Sequence, residues 1–152
     1  MKTIVTISDT HGNFSAIDKI LPIINENDFC FHLGDFQRDI LAYRNDIKSK
    51  VYSVKGNCDG GGDDEILQIE KVKILITHGD RYDVKSSLYS LFLRAKELGV
   101  NLVFYGHTHN ADIIEKDGIY LVNPGAMKAF GQSSYAYTVI HGEKIVCKIV
   151  NI

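Results

Sequence analysis

Five times along this chain an apolar run rich in β-branched and aromatic residues stops at a short turn carrying aspartate, asparagine or histidine. Residues 3–8 run into Asp9-Thr10-His11-Gly12-Asn13, 29–33 into Gly34-Asp35, and 51–54 into Lys55-Gly56-Asn57-Cys58-Asp59. Residues 72–77 then run into His78-Gly79, and 100–105 into Gly106-His107-Thr108-His109. Runs of this length and composition, bounded by turn residues, predict buried strands. The carboxyl ends of strands form the ligand-binding edge of an open α/β sheet, so this placement restricts both the fold and the position of its chemistry.

The intervening segments complete an alternating pattern. Ile17, Ile20, Leu21 and Ile24 recur at helical spacing, with Asn13 or Ser15 as the cap and a kink or early end expected at Pro22. Residues 39–47 predict a short helix of mixed charge. Leu88, Leu91, Phe92, Ala95 and Leu98 mark an amphipathic helix over 85–98 that stops at Gly99. Hairpins are expected where 65–70 and 72–77 flank Lys71, where 111–116 and 119–122 flank Asp117-Gly118, and where 135–140 and 145–150 flank His141-Gly142-Glu143-Lys144. Gly60-Gly61-Gly62-Asp63-Asp64 reads as a loop. Strand–helix alternation followed by hairpins around one more helix predicts a partly parallel α/β architecture with helices outside.

A length of 152 residues predicts one domain over 1–152. The formal net charge of −2 gives no basic footprint, so neither nucleic acid nor an anionic membrane is an expected partner. No apolar run is long enough to span a bilayer and no leader precedes the first strand, which predicts a cytoplasmic protein. Cys30, Cys58 and Cys147 are odd in number and lack C-x-x-C spacing, which fits a reducing compartment. Cys30 and Cys147 fall in apolar runs and read as core residues.

Asp9, Asp35 and Asn57, with His11, His78, His107 and His109, are more ligands than one ion needs. Imidazole nitrogen mixed with carboxylate oxygen suits Mn²⁺, Fe²⁺, Co²⁺, Ni²⁺ or Zn²⁺. Two ions sharing a carboxylate would sit roughly 3.5–4 Å apart, could activate water and neutralise a phosphoryl group, and would need no serine or cysteine nucleophile. Other polar residues read more plainly. His32 lies inside a strand and reads as packed core or as a support behind the ligands. His141 sits in a solvated turn, and Asp63, Asp64 and Glu65 form an exposed acidic run. Arg38 and Arg81 are candidates for a substrate phosphate and equally for ordinary surface.

In order, Asp9-x-His11, Gly34-Asp35, Gly56-Asn57, His78-Gly79 and Gly106-His107-x-His109 resemble the motifs of the calcineurin-like metallophosphoesterases, and the likeness extends to Asn123-Pro124-Gly125. The short length and the His-Thr-His and Asn-Pro-Gly signatures are similar to those of the small bacterial and archaeal phosphodiesterases of that superfamily. The resemblance implies a four-layer αββα sandwich of mixed sheets. It implies one metal ion on Asp9, His11, Asp35 and His109 and a second on Asp35, Asn57, His78 and His107, with Asp35 bridging and a metal-bridging hydroxide as nucleophile. Mn²⁺ is the first expectation, then Ni²⁺, Fe²⁺, Co²⁺ or Zn²⁺. The substrate it implies is a small-molecule phosphate ester, and the short chain together with Cys58 turns the expectation toward diesters. Asn57, Asp59, His78 and His107 are the positions expected to take part in catalysis. Homodimers and homotetramers are common in the family, so either is an expectation here.

One position departs from the family pattern. Many members of the wider superfamily read Gly-Asn-His-Asp or Gly-Asn-His-Glu, and that histidine can assist the leaving group; here the stretch is Gly56-Asn57-Cys58-Asp59. A thiol with an ordinary pKa near ~8.5 is poorly matched as a proton donor, so esters with good leaving groups are expected to be favoured. Asp59 is a candidate to orient a nearby histidine. Two other functions share these motifs: a phosphomonoesterase, and a scaffold resembling the retromer subunit of this fold, whose metal would be structural. Tyr135, Tyr137, Val139 and Ile145 of the last hairpin are expected in the monomer core, with an oligomer surface as the alternative.

Overall fold

The computed structural model describes residues 1–60, 64–128 and 130–152; Gly61, Gly62 and Asp63 of the expected glycine-rich acidic loop lie outside the described residues. In chain order the elements are β1 (Lys2–Ile7), α1 (Phe14–Asn25), β2 (Phe29–His32), α2 (Gln37–Leu41), β3 (Lys50–Ser53), β4 (Glu65–Ile69), β5 (Val72–Ile76), α3 (Tyr89–Leu98), β6 (Leu102–Phe104), β7 (Asp112–Lys116), β8 (Ile119–Asn123), β9 (Ser134–His141) and β10 (Lys144–Asn151). One sheet has the order β10-β9-β1-β2-β3 and the other β4-β5-β6-β8-β7. β1, β2 and β3 run parallel, as do β5, β6 and β8, and hairpin strands complete each sheet in antiparallel fashion.

The two-residue period of the strands sorts their side chains into layers. Ile4, Phe31, Ile74, Ile76, Leu102 and Phe104 point between the sheets into one shared core. Their neighbours Val5, Ile7 and Cys30 pack outward against Ile17, Ile20 and Ile24 of α1 and Ile40 of α2. On the other sheet Leu75, Val103 and Leu121 pack outward against Leu91, Phe92 and Ala95 of α3. Central strands buried on both faces must be apolar at nearly every position, which is why these runs read as continuous. The result is the expected four-layer αββα sandwich. Burying a side chain such as Phe31 or Phe104 contributes roughly 1.5–3 kcal/mol, so the inter-sheet layer holds the two halves together. No described helix is long and apolar enough to cross a membrane.

Helix ends differ from expectation where side chains far along the chain, or backbone twists, intervene. α1 continues to Asn25 with Pro22 in its last turn, on the exposed face, rather than ending early there. The helix expected over 39–47 is α2, Gln37–Leu41; beyond it the chain tightens into i→i−3 bonds, such as Tyr43 N–H to Ile40 O and Arg44 N–H to Leu41 O. The helix expected over 85–98 starts at Tyr89, because Asp83 takes a left-handed conformation (φ 52°) and draws the Ser86 and Ser87 N–H groups into a separate turn. Gly99 ends α3 in the left-handed conformation, as expected. Asp117 and Gly118 both have positive φ, 52° and 77°, the requirement of a tight two-residue hairpin. In the last hairpin Tyr135 is buried, and Tyr137, Val139 and Ile145 are partly buried.

Candidate metal centre

The turns after β1, β2, β3, β5 and β6 meet at one edge of the sandwich. Ligand atoms of Asp9, His11, Asp35 and His109 all lie within 4.8 Å of one another, and so do those of Asp35, His78 and His107. Asp35 belongs to both groups, and Asn57 joins the second, 2.9 Å from His78 Nε2. The seven expected ligands are therefore brought together around Asp35. The backbone bends hard to do this: Asp9 (φ 53°), His11 (44°), Asp35 (60°), His107 (71°) and His109 (64°) are all left-handed. Such conformations cost a non-glycine residue about 1–3 kcal/mol each and cluster where function requires a particular side-chain aim.

Asp9 is fully buried. Its Oδ2 accepts from the Ser8 hydroxyl and from the His107 N–H at 3.2 Å. Its Oδ1 accepts no hydrogen bond from a described residue, although His109 Nε2 lies 3.1 Å away, His11 Nε2 3.9 Å and His78 Nε2 4.0 Å. Burial raises the Asp9 pKa; Ser8 and the imidazoles of His78 and His109 offset this only in part. Burial pushes Asp35 the same way, but the Cys58 N–H, donating to Oδ1 at 2.8 Å, and the neighbouring His78 and His11 rings outweigh it, leaving its carboxyl below the usual range.

His78 Nδ1 lies 2.8 Å from the Leu33 carbonyl oxygen, so Nδ1 carries the hydrogen and the Nε2 lone pair faces the site. The end of the Asn57 amide stands 2.9 Å from that Nε2 and 3.2 Å from His107 Nδ1 and from each oxygen of Asp35. With its NH₂ turned inward the amide donates to these acceptors; with its oxygen turned inward it joins them around a cation. A buried carboxylate oxygen without a donor, beside two groups of nitrogen and oxygen ligands that share Asp35, fits divalent ions. Burial, followed by His78 and Lys85, lowers the His107 pKa and keeps that ring in its neutral, ligating form.

Side chains behind the ligands hold the turns. His32 is buried; its Nδ1 accepts the Gly34 N–H at 3.1 Å, so its Nε2–H donates to Thr10 Oγ1 at 3.0 Å. Thr10 in turn donates to Asp39 Oδ2 at 2.7 Å, which also accepts the Gly12 N–H at 2.7 Å. His32 is thus a support, tying the turn of Asp9 and His11 to the strand that ends at Asp35. Asp59 does not orient a histidine: its carboxylate accepts the N–H groups of Phe36, Gln37 and Gly56, at 2.9, 3.1 and 3.0 Å. It clamps the turn after β2 to the turn after β3, and its hydrogen bonds to described residues all go to backbone N–H groups, none to a ring. Arg38 lies over the Phe36 ring, 4.8 Å from its centroid, and Arg81 is exposed in the 3-10 turn after β5. Phe36 had no sequence signal beyond its place after Asp35, yet it too is left-handed (φ 65°) and its ring centroid lies 5.0 Å from that of His11.

Residues 1–144 match the calcineurin-like phosphoesterase superfamily domain. The chain is 35% identical over 129 residues to the probable metallophosphoesterase YsnB of Bacillus subtilis, covering 82% of this chain and 75% of that protein. It is 28% identical over 144 residues to the phosphodiesterase MJ0936 of Methanocaldococcus jannaschii, covering 78% and 80%. Among solved structures, a phosphoesterase-like protein of Streptococcus pneumoniae superposes with a TM-score of 0.81 at 24% identity, covering 99% and 89% of the two chains. Vps29 of Entamoeba histolytica, solved with Zn²⁺, superposes with a TM-score of 0.77 at 19% identity, covering 98% of each chain, and is alike in fold.

Proposed function

This chain belongs to the calcineurin-like phosphoesterase superfamily, and on that premise we propose that residues 1–152 act as one catalytic unit that hydrolyses small phosphate diesters with two divalent metal ions. The observation that carries the reading is the convergence of six nitrogen and oxygen side chains on Asp35, with a buried carboxylate oxygen left without a donor. In this reading Asp9, His11, Asp35 and His109 hold one ion and Asp35, Asn57, His78 and His107 the other. The pair would supply Lewis acidity toward the phosphoryl oxygens and an activated water for in-line attack, with Mn²⁺ as the first candidate. Asp35 would be shared by both ions; the Leu33 carbonyl fixes the lone pair of His78, and Asn57 and His107 complete that group at its more exposed end.

Diester preference is supported by the relatives named phosphodiesterases and by the residue that follows Asn57. Burial and the adjacent Asp35 and Asp59 push the Cys58 thiol up, so it stays protonated and is a feeble acid. Leaving-group departure then goes largely unassisted, and rates should fall steeply as the leaving alcohol becomes more basic. Metal-stripped protein titrated with Mn²⁺ is expected to hydrolyse bis(p-nitrophenyl) phosphate faster than p-nitrophenyl phosphate, and to hydrolyse diphenyl phosphate far more slowly. Asp35→Ala is expected to abolish all of these. Turnover of the monoester alone would make the protein a phosphatase, and tight Mn²⁺ binding with no turnover of any ester would leave a scaffold with a structural metal site.

A further inference from the structure

A cleft of about 350 Å³ opens beside the metal centre, lined by Phe36, Gln37, Arg38, Leu41, Cys58 and Asp59. Phe36 follows Asp35 in the chain and Cys58 follows Asn57, so the cleft and the centre share the turns after β2 and β3. The contacts agree: the Phe36 ring lies 5.0 Å from the ring of His11, and the Cys58 N–H donates to Asp35 Oδ1 at 2.8 Å. A volume of this size is at the small end of ligand sites, enough for one arm of an ester.

The groups left available in the cleft define what it can hold. Both oxygens of Asp59 are taken by backbone N–H groups, and Gln37 Nε2 donates to Ser53 Oγ at 2.7 Å. What remains is the Phe36 ring, the Arg38 guanidinium 4.8 Å from its centroid, the Leu41 side chain (46% exposed) and the exposed Cys58 thiol. An arginine, an aromatic ring and an aliphatic edge around one opening offer little to a small alkyl arm. They suit a flat π system, which stacks on the guanidinium or takes its place over the ring and covers the leucine. Phe36 adopts a left-handed backbone (φ 65°, ψ 44°), uncommon for so bulky a residue, and this aims its ring between His11 and the cleft.

We propose that this cleft is the subsite for a flat aromatic arm of the phosphodiester, so that the substrate class is a nucleoside-bearing or aryl diester and not an alkyl one. The proposal rests on the phosphodiesterase reading and narrows it. The test uses single-armed phosphates, whose one arm can enter the cleft whichever arm of a diester departs. AMP, phenyl phosphate, ribose 5-phosphate and methyl phosphate are compared as inhibitors of methyl p-nitrophenyl phosphate hydrolysis by the Mn²⁺-loaded protein, and as ligands in calorimetry. AMP and phenyl phosphate are expected to bind about tenfold more tightly than the other two, on the scale of one aromatic stacking contact. AMP tighter than phenyl phosphate assigns the subsite to a nucleobase; the reverse order assigns it to a simple aryl group. Phe36→Ala and Leu41→Ala should each shrink the preference several-fold. Leu41 makes no side-chain hydrogen bond in the ligand turns, so that variant with an unchanged melting temperature and Mn²⁺ stoichiometry keeps folding out of the result. Hydrolysis with equal inhibition by all four phosphates, or a preference that survives both variants, overturns the subsite alone. No hydrolysis of any ester overturns the phosphodiesterase reading and the subsite with it.

Discussion

The two sides of Asp35 are built to different tolerances. On one side the His78 side chain is 1% exposed, its Nδ1 is tied to the Leu33 carbonyl, and its Nε2 is already aimed at Asn57, His107 and Asp35. On the other side the His11 and His109 side chains are 35% and 41% exposed, and neither ring has its second nitrogen hydrogen-bonded to a described residue. A histidine whose far nitrogen is tied presents its lone pair before an ion arrives; one without that tie must be ordered by the ion. By that criterion His78 is preformed, whereas His107 in its own group is untied like His11 and His109; on the proposed dinuclear reading the His78 group is the better ordered of the two before an ion binds. Asp9 links them: its carboxylate is buried like the first, but its free Oδ1 faces the imidazoles of the second.

The largest effect should separate the two histidine classes. On the proposed dinuclear reading, His78→Ala removes a preformed ligand and leaves the buried Leu33 carbonyl without its donor, so the proposed diesterase activity is expected to fall by about 10³-fold, the upper scale for losing one electrostatic group at the reacting centre. The same variant should lower stability by about 1–3 kcal/mol, the cost of an unsatisfied buried group. His109→Ala removes an exposed ligand; a loss of about 10- to 100-fold, recovered in part at high Mn²⁺, is expected. Equal losses in the two variants, measured at saturating and limiting metal, would break the distinction between the seats.

Next in size is the metal titration itself. Apo protein titrated with Mn²⁺ by calorimetry should take up two ions in separate steps, with affinities about 10- to 100-fold apart, the scale on which outer hydrogen bonds tune a site. His109→Ala should erase the weaker step and leave the tighter one. A single step of two equal ions in the parent protein would show that the tied and untied histidines bind alike.

How much of this was legible in the sequence depends on the distance over which each feature is decided. The five strand exits could be read because period-two burial and a turn at Gly34-Asp35 or Gly106-His107 are local. Asp117-Gly118 was legible for the same reason, since its two positive φ angles are set by the two residues themselves. The start of α2 was not, because the carboxylate that binds the N–H groups at its start is Asp59, on the turn after another strand. That long-range contact also removed Asp59 from the role of orienting a histidine. His32 could be placed as a support, but its partners, Thr10 and through it Asp39, lie on two other turns. The gathering of these seven side chains at one place was expected from spacing and resemblance; the unequal fixing of its histidines was not, because the Leu33 carbonyl that ties His78 follows a strand of the other sheet.

The smallest effect concerns what supports the open side. His32 is buried and neutral, its pKa pushed down to about 4 by burial from the ordinary 6.5, and through Thr10 it holds the turn that carries Asp9 and His11. Below about pH 6.5 the unfolded chain protonates this ring while the folded one does not, so the unfolded state binds more protons and stability falls as pH drops toward 4. Between pH 7 and 5.5 this contributes roughly 1 kcal/mol of lost stability. Denaturant melts of metal-free protein across that window should therefore show a shallower loss in His32→Gln than in the parent, although the variant starts less stable at pH 7. The remaining titrating groups are common to both proteins, so the difference between the two slopes isolates this ring. Parallel slopes would mean that His32 is protonated in the folded state, a form in which its Nδ1 cannot accept the Gly34 N–H, and the tie between the Asp9 turn and the Asp35 strand would have to lie elsewhere.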